Sequence, residues 1–199
     1  MKKLTLKILV LIILLILSAN ILGSTNTIKD VLEGKDGQVF EVSGTVIAPK
    51  DLLGKGTFYI QDESLGLMIY APNFKNKLNI GDYVTITGKR KTYYGIVEIV
   101  ANKIEVTGTS TPSVLELKEV SKTYLSNLVY VEGKVKKKNK YDFLVETDNF
   151  TIKVYIKKGT KIDISKIKTN TYVKIIGILS LFKNEYEILP RTQDDIIIK

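Results

Sequence analysis

Short runs of alternating apolar and polar residues fill the chain, and glycine-rich turns separate them. In Thr57-Phe-Tyr-Ile-Gln61, Phe58 and Ile60 share one face, with Tyr59 and Gln61 on the other. After the polar turn Asp62 to Gly66, Leu67 and Ile69 fall on one face, with Met68 and Tyr70 on the other. A period of two bounded by turn residues predicts half-buried β-strands. The pattern gives strands at Val39–Ile47, Thr57–Gln61, Leu67–Ala71, Tyr83–Lys89 and Ile96–Val106. It gives a second set at Leu128–Lys136, Asp142–Glu146, Thr151–Lys157, Tyr172–Leu179 and Glu185–Leu189, with a last run at Asp195–Ile198. Two stretches read as short amphipathic helices: Thr27 to Gly34, and Ser113 to Lys122, where Ser113 with Glu116 fits a capping box.

The two sets match each other. At an offset of 89 residues, Val42, Gly44 and Val46 meet Val131, Gly133 and Val135, while Tyr83, Val84, Ile86 and Gly88 meet Tyr172, Val173, Ile175 and Gly177. Glu98 and Ile99 meet Glu187 and Ile188 at the same offset. In between, the offset shortens to 85, aligning Phe58 with Phe143 and Tyr70 with Tyr155, because loop lengths differ. Self-similarity on this scale predicts two related units. Their expected bounds are 24–107 and 113–199, with a polar linker at 108–112.

The first 23 residues stand apart. Lys2, Lys3 and Lys7 precede an unbroken apolar run from Ile8 to Leu17, and small or polar residues follow before Gly23. This is the arrangement of an export signal, or of a membrane anchor if it is retained. A secreted or extracytoplasmic location follows, with the membrane touched only through this segment.

Composition removes whole classes of chemistry. With no Cys and no His, disulfides, thiolate or imidazole metal ligation, and Ser-His or Cys-His nucleophiles are all impossible. The formal net charge is +9, of which Lys2, Lys3 and Lys7 carry three. That balance tolerates anionic partners without requiring them. The acidic residues do not gather into a catalytic set: Asp62 and Glu63 sit in a turn, and Glu98 and Glu187 read as exposed positions in strands. No catalytic residue, metal site or cofactor is expected.

Five short strands per unit suit a small barrel. A Gly in the first strand, Gln61-Asp62 closing the second, Gly66-Leu-Met-Ile-Tyr70, Ile80-Gly-Asp-Tyr-Val-Thr-Ile-Thr-Gly88 and Tyr94-Gly-Ile-Val-Glu-Ile99 together resemble an oligonucleotide/oligosaccharide-binding (OB) module. Such modules occur in exported nucleases and in bacterial and archaeal nucleic-acid-binding proteins. The second unit departs from this pattern, with Glu146-Thr147-Asp148 and Asn170-Thr171-Tyr172 in place of Gln-Asp and Gly-Asp-Tyr. The resemblance implies an all-β chain of two tandem five-stranded OB-like barrels, each preceded by a short helix, after the signal or anchor segment.

It also implies a ligand surface made by strands two and three and by the loops joining strands one to two and four to five. Tyr59, Tyr70, Tyr93, Tyr94 and Tyr155 are then expected to stack bases. Lys50, Lys55, Lys89, Arg90 and Lys91 are expected to neutralise phosphates, with Lys89 to Tyr94 read as a loop that interleaves base and aromatic. The function expected is non-catalytic binding of single-stranded nucleic acid with low sequence specificity. Alternatives in other classes are an envelope module for protein or glycan, and an accessory subunit of a separate exported nuclease or DNA-uptake system.

Overall fold

In the computed structural model, residues 25–199 are described. The export segment expected at 1–23 lies outside them. Among the described residues, no helix is long and apolar enough to cross a membrane.

Helix α1, Ile28–Glu33, forms where expected: the Thr27 hydroxyl accepts from the Asp30 N–H, and the Asp30 carboxylate accepts from the Thr27 N–H. Ile28 and Val31 are its buried positions, and they lie in the core of the first barrel. Strands β1 (Val39–Ala48), β2 (Thr57–Gln61), β3 (Gly66–Tyr70), β4 (Asp82–Tyr93) and β5 (Ile96–Thr109) follow. They close into a barrel in the order β1-β2-β3-β5-β4. All neighbours are antiparallel except β3 and β5, whose parallel pairing seals the ring. The inward-facing residues Val42, Val46, Phe58, Ile60, Leu67, Ile69, Val84 and Ile86 fill it, as the period of two requires.

The second unit comprises β6 (Leu115–Glu116), β7 (Leu128–Lys138), β8 (Asp142–Glu146), β9 (Thr151–Tyr155), β10 (Tyr172–Phe182), β11 (Glu185–Leu189) and β12 (Ile196–Ile198). These make one sheet in the order β12-β10-β11-β9-β8-β7-β6. Strand β10 also pairs with β7, so five of the seven strands return on themselves around a separate apolar core that includes Phe143, Val145, Val154 and Ile175.

Two expectations fail here for identifiable reasons. The segment Ser113 to Lys122 is not a helix. The Ser113 hydroxyl accepts from the Gln61 side-chain amide at 2.8 Å rather than capping a helix, and Leu115 and Glu116 pair in parallel with Val129 and Tyr130. Between β6 and β7 the only helical structure among the described residues is a single turn of 3-10 helix, Lys122–Tyr124. The stretch Lys89 to Tyr93 is likewise strand rather than loop, since β4 continues to Tyr93 and only Tyr94-Gly95 make the turn. Both turn residues have positive φ, 47° and 84°, as a two-residue hairpin of the I′ kind requires.

Candidate nucleic-acid interface

Strand register sets out the outer face of the first barrel in rows. One row runs Tyr59–Met68–Glu98–Lys91 across β2, β3, β5 and β4. The next runs Thr57–Tyr70–Val100–Lys89. Beside the first row, on its other side, lie Gln61 opposite Gly66 and Ile96 opposite Tyr93.

The second unit covers part of this face. Ile47, Ala48, Leu53, Tyr59, Met68 and Ile96 of the first barrel form one apolar cluster with Leu128, Ile178 and Leu189 of the second. Polar contacts surround it. The Gln61 carboxamide accepts from the Leu128 N–H at 2.7 Å and donates to the Ser113 carbonyl and hydroxyl at 3.2 and 2.8 Å. Asn127 Nδ2 donates to the Ser64 carbonyl at 3.0 Å, and Arg191 donates to the Ile47 carbonyl at 2.8 Å. The backbones approach so closely at Gly66 that a Cβ there would overlap the Ser126 carbonyl. Tyr59 and Met68, on the outer face of β2 and β3, are therefore core between the two units.

That placement corrects Tyr59. It is 5 % exposed, and burial together with the nearby Glu187 and Glu98 carboxylates pushes its hydroxyl pKa well above the ordinary tyrosine value. No base can stack on it in this arrangement. Arg90 is corrected as well. Alternation along β4 turns Lys89, Lys91 and Tyr93 outward and Arg90 inward, leaving it 9 % exposed. Its Nε donates to the Val31 carbonyl at 2.8 Å, Nη2 to the Leu32 carbonyl at 3.3 Å, and Nη1 to the Asp36 carboxylate. Arg90 is thus a clasp between β4 and the end of α1.

What stays open is a cleft of about 820 Å³ at the other edge of the face. Lys50, Lys55, Tyr70, Lys91 and Tyr93 line it, with Met68 and Glu98 beneath. Tyr70 is 37 % exposed. The Lys91 ammonium lies 5.3 Å from the Tyr93 ring centre, and Tyr93 meets Tyr94 edge-on at 4.5 Å. Tyr94 at the hairpin tip is 81 % exposed. Lys89 is exposed on the same face.

Asp51 fixes the loop between β1 and β2. It adopts a φ of 68°, and its carboxylate accepts from the Gly56 N–H at 2.6 Å and from Lys50 Nζ at 2.7 Å. The Lys50 hydrogen bond, then that from Gly56, hold its carboxyl below the usual range. Lys50 is accordingly the most engaged of the cleft lysines, and its side chain is only 14 % exposed. A smaller hollow shares Lys50, Asp51 and Pro72 with the cleft and adds Lys75 and Lys77. The sequence reading missed these two lysines because they sit in an irregular loop between β3 and β4.

Tyr155 of the second unit is half-buried and packs against the cluster between the units. The Lys153 and Lys157 ammonium groups stand 5.7 and 5.0 Å from its ring centre. Glu98 and Glu187, expected to be exposed, are both buried, and desolvation pushes both carboxyls above the glutamate range. The second unit neutralises its acids internally: Lys157 lies 3.6 Å from Glu187, Lys153 3.7 Å from Glu185 and Lys136 2.7 Å from Glu146. Among the described residues, no group of three or more acids is placed to hold a metal ion.

No family model matches the chain. It is similar to Endonuclease YhcR of Bacillus subtilis, 24 % identical over 187 aligned residues, and the match takes in 82 % of this chain but 15 % of that protein. Solved structures resemble it at low TM-scores. The hypothetical protein ygiW from E. coli covers 42 % of this chain at 19 % identity and TM-score 0.36, with 89 % of its own length matched. The Ifi202 HINa domain in complex with double-stranded DNA covers 82 % at 18 % identity and TM-score 0.35, with 96 % of its own length matched. Structural likenesses with TM-scores this low carry no functional argument.

Proposed function

We propose that the chain is a non-catalytic, exported protein with two OB-like units that binds single-stranded nucleic acid. The cleft of the first barrel is the binding site. The observation that carries this reading is the convergence of Tyr70, Tyr93, Lys55 and Lys91 on one open cleft, at the place where a barrel of this strand order takes its ligand. Tyr70, Tyr93 and Tyr94 stack bases, while Lys50, Lys55, Lys89 and Lys91 meet phosphates. Stacking and phosphate contact are indifferent to sequence, so specificity is low over most of the bound strand. The likeness to an endonuclease supports a nucleic-acid ligand, and it also favours a second reading, an accessory unit beside a separate nuclease. Export rests on Lys2, Lys3, Lys7 and the apolar run Ile8 to Leu17.

Fluorescence anisotropy of the full chain with a labelled mixed-sequence DNA strand, between about 25 and 300 mM salt, tests the reading. The expected log–log salt slope is about −0.7 for each phosphate contacted, with three or more contacts. Replacing Tyr70 and Tyr93 together by Ala is expected to weaken binding at least ~10-fold, since each stacked base contributes about 1–3 kcal/mol. Binding that disappears by about 100 mM salt and ignores both tyrosines would show only that the protein is basic.

A further inference from the structure

One acid in the cleft has no hydrogen-bonded partner. Glu98 is 4 % exposed and lines the cleft. Among the described residues, no hydrogen bond or ion pair engages its carboxylate. Its cross-strand neighbour Lys91 attracts it electrostatically without hydrogen-bonding it, and lies 5.3 Å from the Tyr93 ring centre. The other buried acids are held: Glu187 by Lys157 at 3.6 Å, and Asp195 by Arg191 at 2.8 Å.

The corresponding row of the second unit shows how Glu98 came to be free. There the row runs Leu144–Lys153–Glu187–Ser180. Glu187 faces Lys153, whereas Glu98 faces Met68. Lys157 stands two residues beyond Tyr155, and Pro72 stands two residues beyond Tyr70. Both lysines around Glu187 are thus replaced around Glu98 by side chains with no charge. Lys91 takes the place of Ser180 beside Glu98 and attracts it without a hydrogen bond. A carboxylate in a buried side chain with no hydrogen-bond donor is costly to keep, and such groups gather where a ligand completes them.

We propose that Glu98 is a specificity-determining residue that accepts hydrogen bonds from a guanine base entering the cleft. This rests on the nucleic-acid reading above. The two oxygens of a carboxylate match the adjacent N1–H and N2–H donors of guanine, a bidentate pair with a charged acceptor. Adenine and cytosine offer an amino donor beside a ring acceptor, and thymine offers one N–H between two carbonyls, so each sets a lone pair against the carboxylate. Tyr70, one row away on the same face and lining the same cleft, is placed to cover the face of that base. The neighbouring nucleotides meet only lysine and ring faces and go unread.

The test is a titration of the full chain with labelled strands of about 12 nucleotides, within the usual site size for such barrels. All are thymidine except for a central guanine, inosine, adenine or cytosine, with an all-thymidine strand beside them. The guanine strand is expected to bind about 10-fold tighter than the thymidine strand. Inosine, which lacks the 2-amino group, should fall between them. Glu98→Gln should shrink the guanine preference to about 2-fold, read as the ratio of guanine- to thymidine-strand affinity measured on the same variant. Equal binding of guanine and thymidine strands by the unmodified chain would overturn the inference and leave the nucleic-acid reading standing, as would a guanine preference that survives Glu98→Gln. No binding to any strand would overturn both. The inosine comparison uses the unmodified protein, so the outcome does not depend on how the variant folds.

Discussion

Replacing Tyr59 by Ala separates its place between the two units from the stacking role its strand position suggests. The ring is 5 % exposed and lies in the cluster that joins Met68 and Ile96 to Leu128, Ile178 and Leu189. Truncation to Ala removes on the order of 150 Å² of buried ring, which at about 25 cal/mol per Å² amounts to ~4 kcal/mol. Aromatic-to-Ala changes in cores cost a similar ~3–5 kcal/mol. Against a typical total of about 5–15 kcal/mol, that is a large fraction. For a chain of this size it lowers Tm by roughly 8–16 °C. Because the lost contact lies between the units, the single transition should also broaden or split, as each core would melt more independently. Differential scanning calorimetry reads both effects, and anisotropy on the variant held well below its Tm should show DNA affinity within about 3-fold of the parent chain, far less than loss of a stacked base would cause. A Tm within about 3 °C of the parent, accompanied by a drop in affinity of ~10-fold or more, would refute the placement and restore Tyr59 to the ligand surface.

Three further outcomes follow from named contacts. Gln61→Leu strips the buried Leu128 N–H of its acceptor and should cost about 1–3 kcal/mol, with the Leu128 amide exchanging faster by NMR; an unchanged exchange rate would rule out that bond. Arg90→Ala frees the Val31 and Leu32 carbonyls and the Asp36 carboxylate. It should destabilise the chain by roughly 2–3 kcal/mol yet leave the salt slope of DNA binding as it was; a shallower slope with an unchanged Tm would mean that Arg90 meets phosphate after all. Finally, burial raises the folded-state pKa of Glu98 above its unfolded value, with Lys91 opposing. The stability linked to this group is therefore fully present below the ordinary glutamate pKa and is lost as pH rises through the raised folded value. Glu98→Gln should accordingly raise Tm at neutral pH and change little near pH ~4; melts showing the reverse pattern would contradict the burial of that carboxyl.

The barrels were legible in the sequence because their inner faces are monotonous. Phe58, Ile60, Leu67 and Ile69 alternate with residues of other character, and no competing register buries them. Helix α1 was legible from Thr27 and Asp30 for a similarly local reason. The interface between the units was not, since it is made by residues far apart in the chain. Its trace in the sequence was the surplus of apolar side chains at Tyr59 and Met68, on a face that would otherwise be polar. Arg90 misled because a basic-aromatic run reads as a loop until the strand is known to reach Tyr93, whereupon parity alone turns it inward. Ser113 carries a capping-box pattern, but a side-chain amide 52 residues away in sequence takes its hydroxyl. Glu98 and Glu187 look alike as letters. Only the pairing of β3 with β5 and of β9 with β11 shows that one faces Met68 and the other Lys153.

The segment connecting the units bears on how a long ligand would meet them. Ser110 N–H donates to the Gly81 carbonyl at 2.8 Å, and Ser113 is gripped by Gln61, so the crossing from β5 to β6 is fastened to the first barrel near both of its ends. The relative orientation of the two units is thus settled during folding. A strand long enough to touch both would encounter one preformed surface, and the loss of rotational freedom that accompanies binding to hinged modules would be absent from its association free energy.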